Sequence, residues 1–257
     1  MSDRLALLPA ALLLALLALP VVGLLGTTSP AEALAALWLP STGEALWLSL
    51  RTTTLAIGLA ALLGTPLAWR LSRSRSPWSR ALLLVVELPV VLPPAVLGLA
   101  LLAAYGRQGL LGPLLAAAGW SLPFGTGAVV VAQLVVGAPL YVLTATAAFR
   151  AVDEDLLLVA RTLGAGPARA FLTVAVPVAA PGLITALGLA WSRALGEFGA
   201  TLMFAGNLPG RTRTLPLAIY GAMESDLGQA RAIAVLLVAV TAALLVGLRA
   251  LGWRSST

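Results

Sequence analysis

Residues 81–105 read ALLLVVELPVVLPPAVLGLALLAAY. Only Glu87 is charged in this run. A helix that crosses the hydrocarbon core of a bilayer needs roughly 20 consecutive apolar residues, and the run is long enough. Membrane β-barrel strands would alternate apolar and polar residues over about ten positions. Here Leu, Val and Ala follow one another without alternation, so the run reads as a helix in lipid. Working outward, five more windows have the same character: Leu5–Gly26, Thr52–Trp69, Gly125–Phe149, Ala170–Ser192 and Ala232–Leu248. None of the five holds a charged residue. The expected fold class is therefore all-α, a polytopic membrane protein with six transmembrane helices. No internal repeat or separate soluble domain is visible, so residues 1–257 are read as one transmembrane domain.

Composition points the same way. Only 10% of the 257 residues are charged and 60% are hydrophobic, against about 25% charged in an ordinary soluble domain. The chain has no Cys and no His, and all 16 basic residues are Arg. Cys/His zinc sites, Cys- or His-based triads, lysine Schiff bases and the P-loop lysine are all excluded. Any energy source must come from a partner. A net charge of +6 would suggest nucleic acid in a soluble protein. Here the Arg residues are scattered between apolar runs, and the partner is expected to be the lipid bilayer. Arg4, the first apolar run and Ala31-Glu32-Ala33 have the outline of a cleavable signal. The run exceeds the usual core of about 7–15 residues, so it is read as an uncleaved first span.

Six spans place both termini on one side. With the termini inside, ten Arg residues fall in cytoplasmic segments and five in outer ones, Arg193 being left out as near-interfacial. The excess marks the cytoplasmic side, and the cluster from Arg70 to Arg80 carries most of it. The expected location is the cytoplasmic (inner) membrane, with both termini cytoplasmic. Residues 27–45 and 106–124, rich in Pro and Gly, read as outer loops.

Residues 150–169 differ. Asp153 is a natural N-cap, with Glu154 and Asp155 in the first turn where the helix end is positive. Leu156, Val159, Ala160 and Leu163 recur at helical spacing. Gly164 or Gly166 would end this helix and Pro167 would open the next. A short helix is thus expected on the cytoplasmic side between the fourth and fifth spans. On these residues alone, it could simply rest on lipid.

From Leu158 to Pro177 the chain reads LVARTLGAGPARAFLTVAVP. This resembles the cytoplasmic signature of ABC-importer permeases, in which Glu-Ala-Ala is followed by Gly and then by a hydrophobic-x-hydrophobic-Pro end. Ala160 falls on the last Ala, Gly164 on the Gly, Val174 on the usual Ile, and Val176-Pro177 on Leu-Pro. Leu158 and Val159 replace the Glu and first Ala. Residues 193–220, RALGEFGATLMFAGNLPGRTRTLPLAIY, resemble the molybdate branch of the same permeases, and residues 88–106 its third span. The likeness covers about residues 45–250.

The resemblance implies a type I importer permease (MetI-like) fold and a molybdate permease working by alternating access. It implies a second copy of this chain to complete the pathway, and two ATP-binding cassette subunits on the cytoplasmic face. It implies a periplasmic or extracellular molybdate-binding protein as well. ATP and Mg would sit on the partner subunit. This chain would bind no cofactor or metal and catalyse nothing, and no nucleic acid is expected. The coupling-helix region is residues 150–169, and the residues contacting the ATPase are expected to be Asp153, Leu156, Val159, Ala160, Gly164 and Pro177.

Other candidates are read beside their structural alternatives. Pro89, Pro93 and Pro94 interrupt the third window. Each removes a backbone donor, and in lipid the freed carbonyls must face protein or a water-filled cavity. They would line the pathway or form a static kink. Glu87, an intramembrane carboxylate, is a functional candidate by default, or the partner of an Arg in the 70–80 cluster. Arg193 and Glu197 share a helix face, either as a self-neutralising pair near the outer interface or as an outer-gate element. Arg211 and Arg213 would concentrate an anion at the outer mouth or serve a docking surface. Asn207, before Leu208-Pro209-Gly210, reads as a turn residue, with ligand contact as the alternative. Competing functions are sulfate or tungstate transport, an ATPase-independent channel and an intramembrane enzyme. The last would need a cluster of catalytic groups that Glu87, Arg193 and Glu197 do not make.

Overall fold

The computed structural model describes residues 3–254, all helix and connecting turns. The two chain ends lie outside the described residues. The first window folds as α1 (Asp3–Gly26), followed by α2 (Pro30–Leu37) and α3 (Pro40–Arg73). The third window is a pair, α4 (Pro77–Val91) and α5 (Pro94–Tyr105). Short α6 (Gly112–Ala117) precedes α7 (Thr126–Arg150) and α8 (Glu154–Thr162). The fifth window is α9 (Pro167–Ala170), a π turn over Phe171–Ala175, and α10 (Val176–Leu195). The chain closes with α11 (Gly199–Ala205), α12 (Leu215–Met223) and α13 (Leu227–Arg254).

The six apolar windows all fall on helices, and five of those helices are long and apolar enough to cross a membrane unaided. The third window differs from its expected single span, because the axes of α4 and α5 turn through 116°. The cause is local. Pro93 and Pro94 lack the N–H that would continue α4, and a residue before Pro is driven to extended backbone. Leu92 adopts ψ 134° and Pro93 ψ 139°. The pair still joins both ends of the bundle. Arg73, just before α4, bonds the carbonyls that end α7. Tyr105, at the end of α5, packs 6.3 Å from Phe204, whose carbonyl accepts the Phe124 N–H at the start of α7. Counted as one broken crossing, the bent pair brings the candidate spans to six.

The core lies between α3, α7 and α10. Ile57, Ala60, Ala68, Tyr141, Ala145, Phe149, Ala179, Ala186 and Ala190 are buried there. Alanine and glycine at these contacts let the backbones approach closely; a Cβ on Gly137 would meet the Ala190 carbonyl oxygen at 3.1 Å. A second cluster joins α5, α7 and α11 through Leu97, Val129, Ala132 and Phe204. A third joins the start of α3 to α12 and α13 through Ala45, Leu215 and Ile233. By contrast, the apolar window of α1 has nothing buried. A helix apolar on every side and touching the bundle only beside α13 is suited to lipid. Ser29 caps α2, and its N–H holds the Glu32 carboxyl below its ordinary range.

Candidate functional site

Three places along the bundle hold the residues singled out from the sequence. The first is the end bearing α8. Asp153 caps the helix as expected, its Oδ1 accepting the Asp155 N–H at 3.0 Å. The helix ends at Gly164, not Gly166. Gly164 has φ +87°, in the left-handed region. Its N–H bonds the Arg161 carbonyl and the Ala165 N–H bonds the Ala160 carbonyl, both at 3.0 Å. This 5→2 and 6→1 pair satisfies carbonyls that a helix end otherwise leaves free. A Cβ at Gly164 would meet nothing within 4 Å, so the glycine serves the turn and not a close approach within this chain.

No residue of α8 is buried. Leu156, Leu158 and Val159 are exposed, and Leu163 just past the helix is 82% exposed. Leu157 is the one apolar side chain of the helix packed against the core. Pro177 lies exposed near the start of α10. It has no N–H for the preceding turn, and the chain absorbs it in the π turn, where the Val176 N–H reaches back to Phe171.

Arg73 fixes the joint between α7 and α8. Its Nη2 donates to the carbonyls of Phe149 at 3.1 Å and Val152 at 3.0 Å. Its Nη1 meets Glu154 Oε1 at 3.3 Å, and the guanidinium lies 4.7 Å from the Trp69 ring centre. Trp69, Phe149 and Phe171 pack edge to face or tilted, 5.1 to 5.8 Å apart. The sequence reading used Arg73 only as a positive charge. Its partners lie about 76–81 positions away, beyond any local pattern.

The second place is the middle of the bundle. Arg193 Nη1 donates to Glu197 Oε2 at 3.0 Å, and Glu197 Oε1 accepts the Ala200 N–H at 2.7 Å. Glu197 is thus both an ion-pair partner and the carboxylate at the positive start of α11. Its side chain is 2% exposed and that of Arg193 is 43% exposed. The pair sits deeper than the outer interface expected from the sequence. Ala190 and Ala194 pack on Gly137, about 16 Å along α7 from its start at 1.5 Å per residue. The difference arises because the helix leading to Arg193 begins beyond the end of α7, at Pro167. Beside the pair, Gly199 touches Pro94 and Gly98 touches Met203, where Cβ atoms would come within 2.5 and 2.6 Å. The bent α5 and α11 are therefore in direct contact.

Pro89 lies within α4, partly buried, whereas Pro93 and Pro94 are exposed at the bend. Glu87 is also exposed on α4. Among the described residues the ion pairs are Arg73–Glu154 and Arg193–Glu197, so the expected pairing of Glu87 with the Arg cluster is not formed. Arg80 is on nearly the same face of α4, but two turns, about 10 Å, away.

The third place is the end opposite α8. The 206–214 loop is held from within. The Thr212 hydroxyl accepts the Leu208 N–H at 2.9 Å and donates to the Gly206 carbonyl at 3.1 Å. Asn207 precedes the turn, and its Nδ2 donates to the Leu217 carbonyl while its Oδ1 accepts from Arg213 Nε at 2.9 Å. Ser49 anchors the loop's exit by accepting the Leu215 N–H at 2.8 Å. Arg211 is exposed and Arg213 half-buried. The structure brings Asn207 and Arg213 together and leaves Arg211 apart from them.

The structure is a bundle of apolar helices, one crossing sharply bent, with a short exposed helix at one end. The sequence pattern of the family described as "Binding-protein-dependent transport system inner membrane component" matches residues 56–252, and the chain belongs to that family. The molybdenum transport system permease protein ModB of Mycobacterium tuberculosis is 46% identical over 211 residues, 82% of this chain and 80% of that one. ModB of Escherichia coli is 38% identical over 203 residues, 79% of this chain and 89% of that one. The probable transport system permease protein NifC of Clostridium pasteurianum is 37% identical over 235 residues, 91% of this chain and 82% of that one. Among solved structures, a chain of a bacterial ABC transporter involved in import of the acidic polysaccharide alginate superposes with a TM-score of 0.75 at 14% identity. That match covers 98% of this chain and 94% of that one. A chain of the MetNI methionine ABC transporter gives 0.64 at 18% identity, covering 82% and 94%. At these identities the likeness is one of fold, shared with chains of ABC transporters.

Proposed function

We propose that this chain is the membrane-spanning permease subunit of an ATP-driven molybdate importer working by alternating access. The observation that carries the reading is its 46% identity, over four fifths of each chain, to a permease named for molybdenum transport. Two copies of the chain would enclose the pathway. An ATP-binding subunit, holding ATP and Mg, would receive the exposed face of α8 on each copy, with Asp153, Leu156, Val159, Ala160 and Gly164 at the contact. Pro177 would set the π turn behind it. A molybdate-binding protein would deliver the ion at the opposite end. The bias of Arg toward the α8 end supports an orientation with that end, and both termini, on the cytoplasmic side of the inner membrane.

Within the pathway, Arg193 is the favoured contact for a passing dianion. A half-exposed guanidinium at mid-depth must face protein or a water-filled space. Glu197 holds it in place, and the contact between α5 and α11 at Pro94 lets the bend move with it. Arg211 adds positive charge at the mouth. The test is uptake by membrane vesicles containing this chain, the ATPase and the binding protein, with molybdenum measured by mass spectrometry. ATP-dependent molybdate uptake with strong tungstate and weak sulfate competition is expected. Equal competition by sulfate would move the substrate to sulfate, and uptake without ATP would overturn the importer reading.

A further inference from the structure

Between α3, α4 and α7 the bundle leaves a slot of about 320 Å³, running past Leu59, Leu63 and Leu67 on α3, Val85 and Pro89 on α4, and Val142 on α7. Every residue lining it is Leu, Val, Ala, Gly or Pro. The slot opens outward along the seam between α3 and α4, which pack on α7 more than on each other. Leu63 and Val85, facing each other across that seam, are 66% and 68% exposed. A single turn of helix, about 10 Å across and 5.4 Å tall, exceeds the volume of the slot. A neighbouring helix could cover it but not enter it. Along α3 the slot runs about 12 Å from Leu59 to Leu67, at 1.5 Å per residue. It is long, narrow and wholly apolar, as an extended acyl chain is.

The α8 end of the slot has the features of a headgroup site. Arg70 follows Leu63 by seven residues and Leu67 by three, and Trp78 precedes Val85 by seven. Two helical turns return each to the slot's side of its own helix, just beyond the slot. Arg70 is exposed and forms no ion pair among the described residues. Trp78 is 79% exposed. Tryptophan favours the level of the lipid headgroups, and Arg clustered just past a span attracts anionic lipid. Arg73, Arg75 and Arg80 extend the cluster. Arg80 is two residues from Trp78 and so on the opposite side of α4 from the slot.

We propose that this slot holds one anionic phospholipid, its phosphate on Arg70 and one acyl chain between Leu63 and Val85. The lipid would fill the seam between α3 and α4 and hold the α4 half of the bent crossing against α7. The site is independent of what the importer carries.

The test titrates the full chain, purified in mild detergent, with equal amounts of phosphatidylglycerol and phosphatidylcholine. Native mass spectrometry counts the lipid retained. One phosphatidylglycerol per chain is expected to survive after other lipid is stripped. Arg70→Gln should cut the preference for phosphatidylglycerol about fivefold, the worth of one Arg near a membrane surface. Arg80→Gln should leave it unchanged. Val85→Trp should fill the slot and abolish retention of either lipid. Leu62→Trp, on an exposed part of α3 outside the slot, should not. All four positions are exposed, so the variants should melt with the parent. In the unsubstituted protein, phosphatidylglycerol with a diazirine on its acyl chain should mark residues 59–67 and 85–89. Marking spread evenly over the exposed apolar surface overturns the site, as does equal retention in Val85→Trp and the parent. Equal loss in Arg70→Gln and Arg80→Gln reduces the binding to general surface charge and overturns it too. A disulfide between two copies carrying Leu63→Cys would make the slot an interface between chains and overturn the lipid.

Discussion

Arg73 and Glu154 meet at 3.3 Å, joining the end of α3 to the first turn of α8 across the end of α7. The two residues do not contribute equally. The Glu154 side chain is 80% exposed, and an exposed ion pair is worth about 0–1 kcal/mol. Arg73 also holds the Phe149 carbonyl at the end of α7 and the Val152 carbonyl just past it, and hydrogen bonds from a charged donor are worth about 1.5–3 kcal/mol each. Arg73→Ala should therefore lower stability by roughly 3 kcal/mol or more and loosen α8, while Glu154→Gln should change little. Thermal unfolding in detergent together with the ratio of ATP hydrolysed to ion transported checks this. Similar effects of the two substitutions would contradict the assignment of Arg73 as the clamp.

Gly164 is needed for its backbone. At φ +87° a residue with a Cβ is strained by about 1–2 kcal/mol, although nothing within the chain would touch that Cβ. Gly164→Asn should be tolerated better than Gly164→Ala, because Asn enters the left-handed region more readily. Gly164→Leu adds bulk where an ATPase would lie. If α8 docks there, Leu should uncouple ATP hydrolysis from uptake more than Ala does, while the protein still inserts. Equal coupling in the Ala and Leu variants would remove the docking contact from this turn.

The Arg193–Glu197 pair makes a separate prediction for transport. Glu197→Ala takes away the carboxylate on the Ala200 N–H and leaves Arg193 unpaired, so both stability and uptake should fall. Loss of such a helix-start acceptor alone costs about 0.5–2 kcal/mol. Arg193→Lys keeps the charge without the planar fork, and uptake should drop while folding persists. Unchanged uptake in Arg193→Gln would take this residue out of the pathway.

Orientation can be read with single cysteines, since the chain has none. Ser76, exposed at the α8 end, and Leu110, exposed at the other end, are suited to it. Thr212 is not, being fully buried and bonded within its loop. In intact cells a membrane-impermeant thiol reagent should label Leu110→Cys and spare Ser76→Cys. The reverse pattern would place α8 away from ATP.

Much of the architecture is legible in the sequence because its signals are local. Unbroken apolar runs mark the crossings, Asp153 marks the start of α8, and Gly164 or Gly166 marks its end, the backbone choosing Gly164. Pro93 and Pro94 indicate a break but not its 116° turn, which depends on what α5 packs against. The level of Arg193 beside the middle of α7 is not legible, because a helix length counted from Pro177 says nothing about where α7 lies beside it. Arg73 carries no local pattern at all. Its importance comes from carbonyls placed beside it by residues far away in the chain.

Helix α8 turns Leu156, Leu158 and Val159 outward, with Leu163 beside them. In a chain inserted without partners, this greasy knob stands in water at the membrane surface. If an ATP-binding subunit docks on α8, as proposed above, the patch is left open to chaperones and membrane proteases until that subunit covers it. The amount of this protein that survives in a cell should then follow the supply of that subunit, and expression of the chain alone should give poor yields however well it inserts.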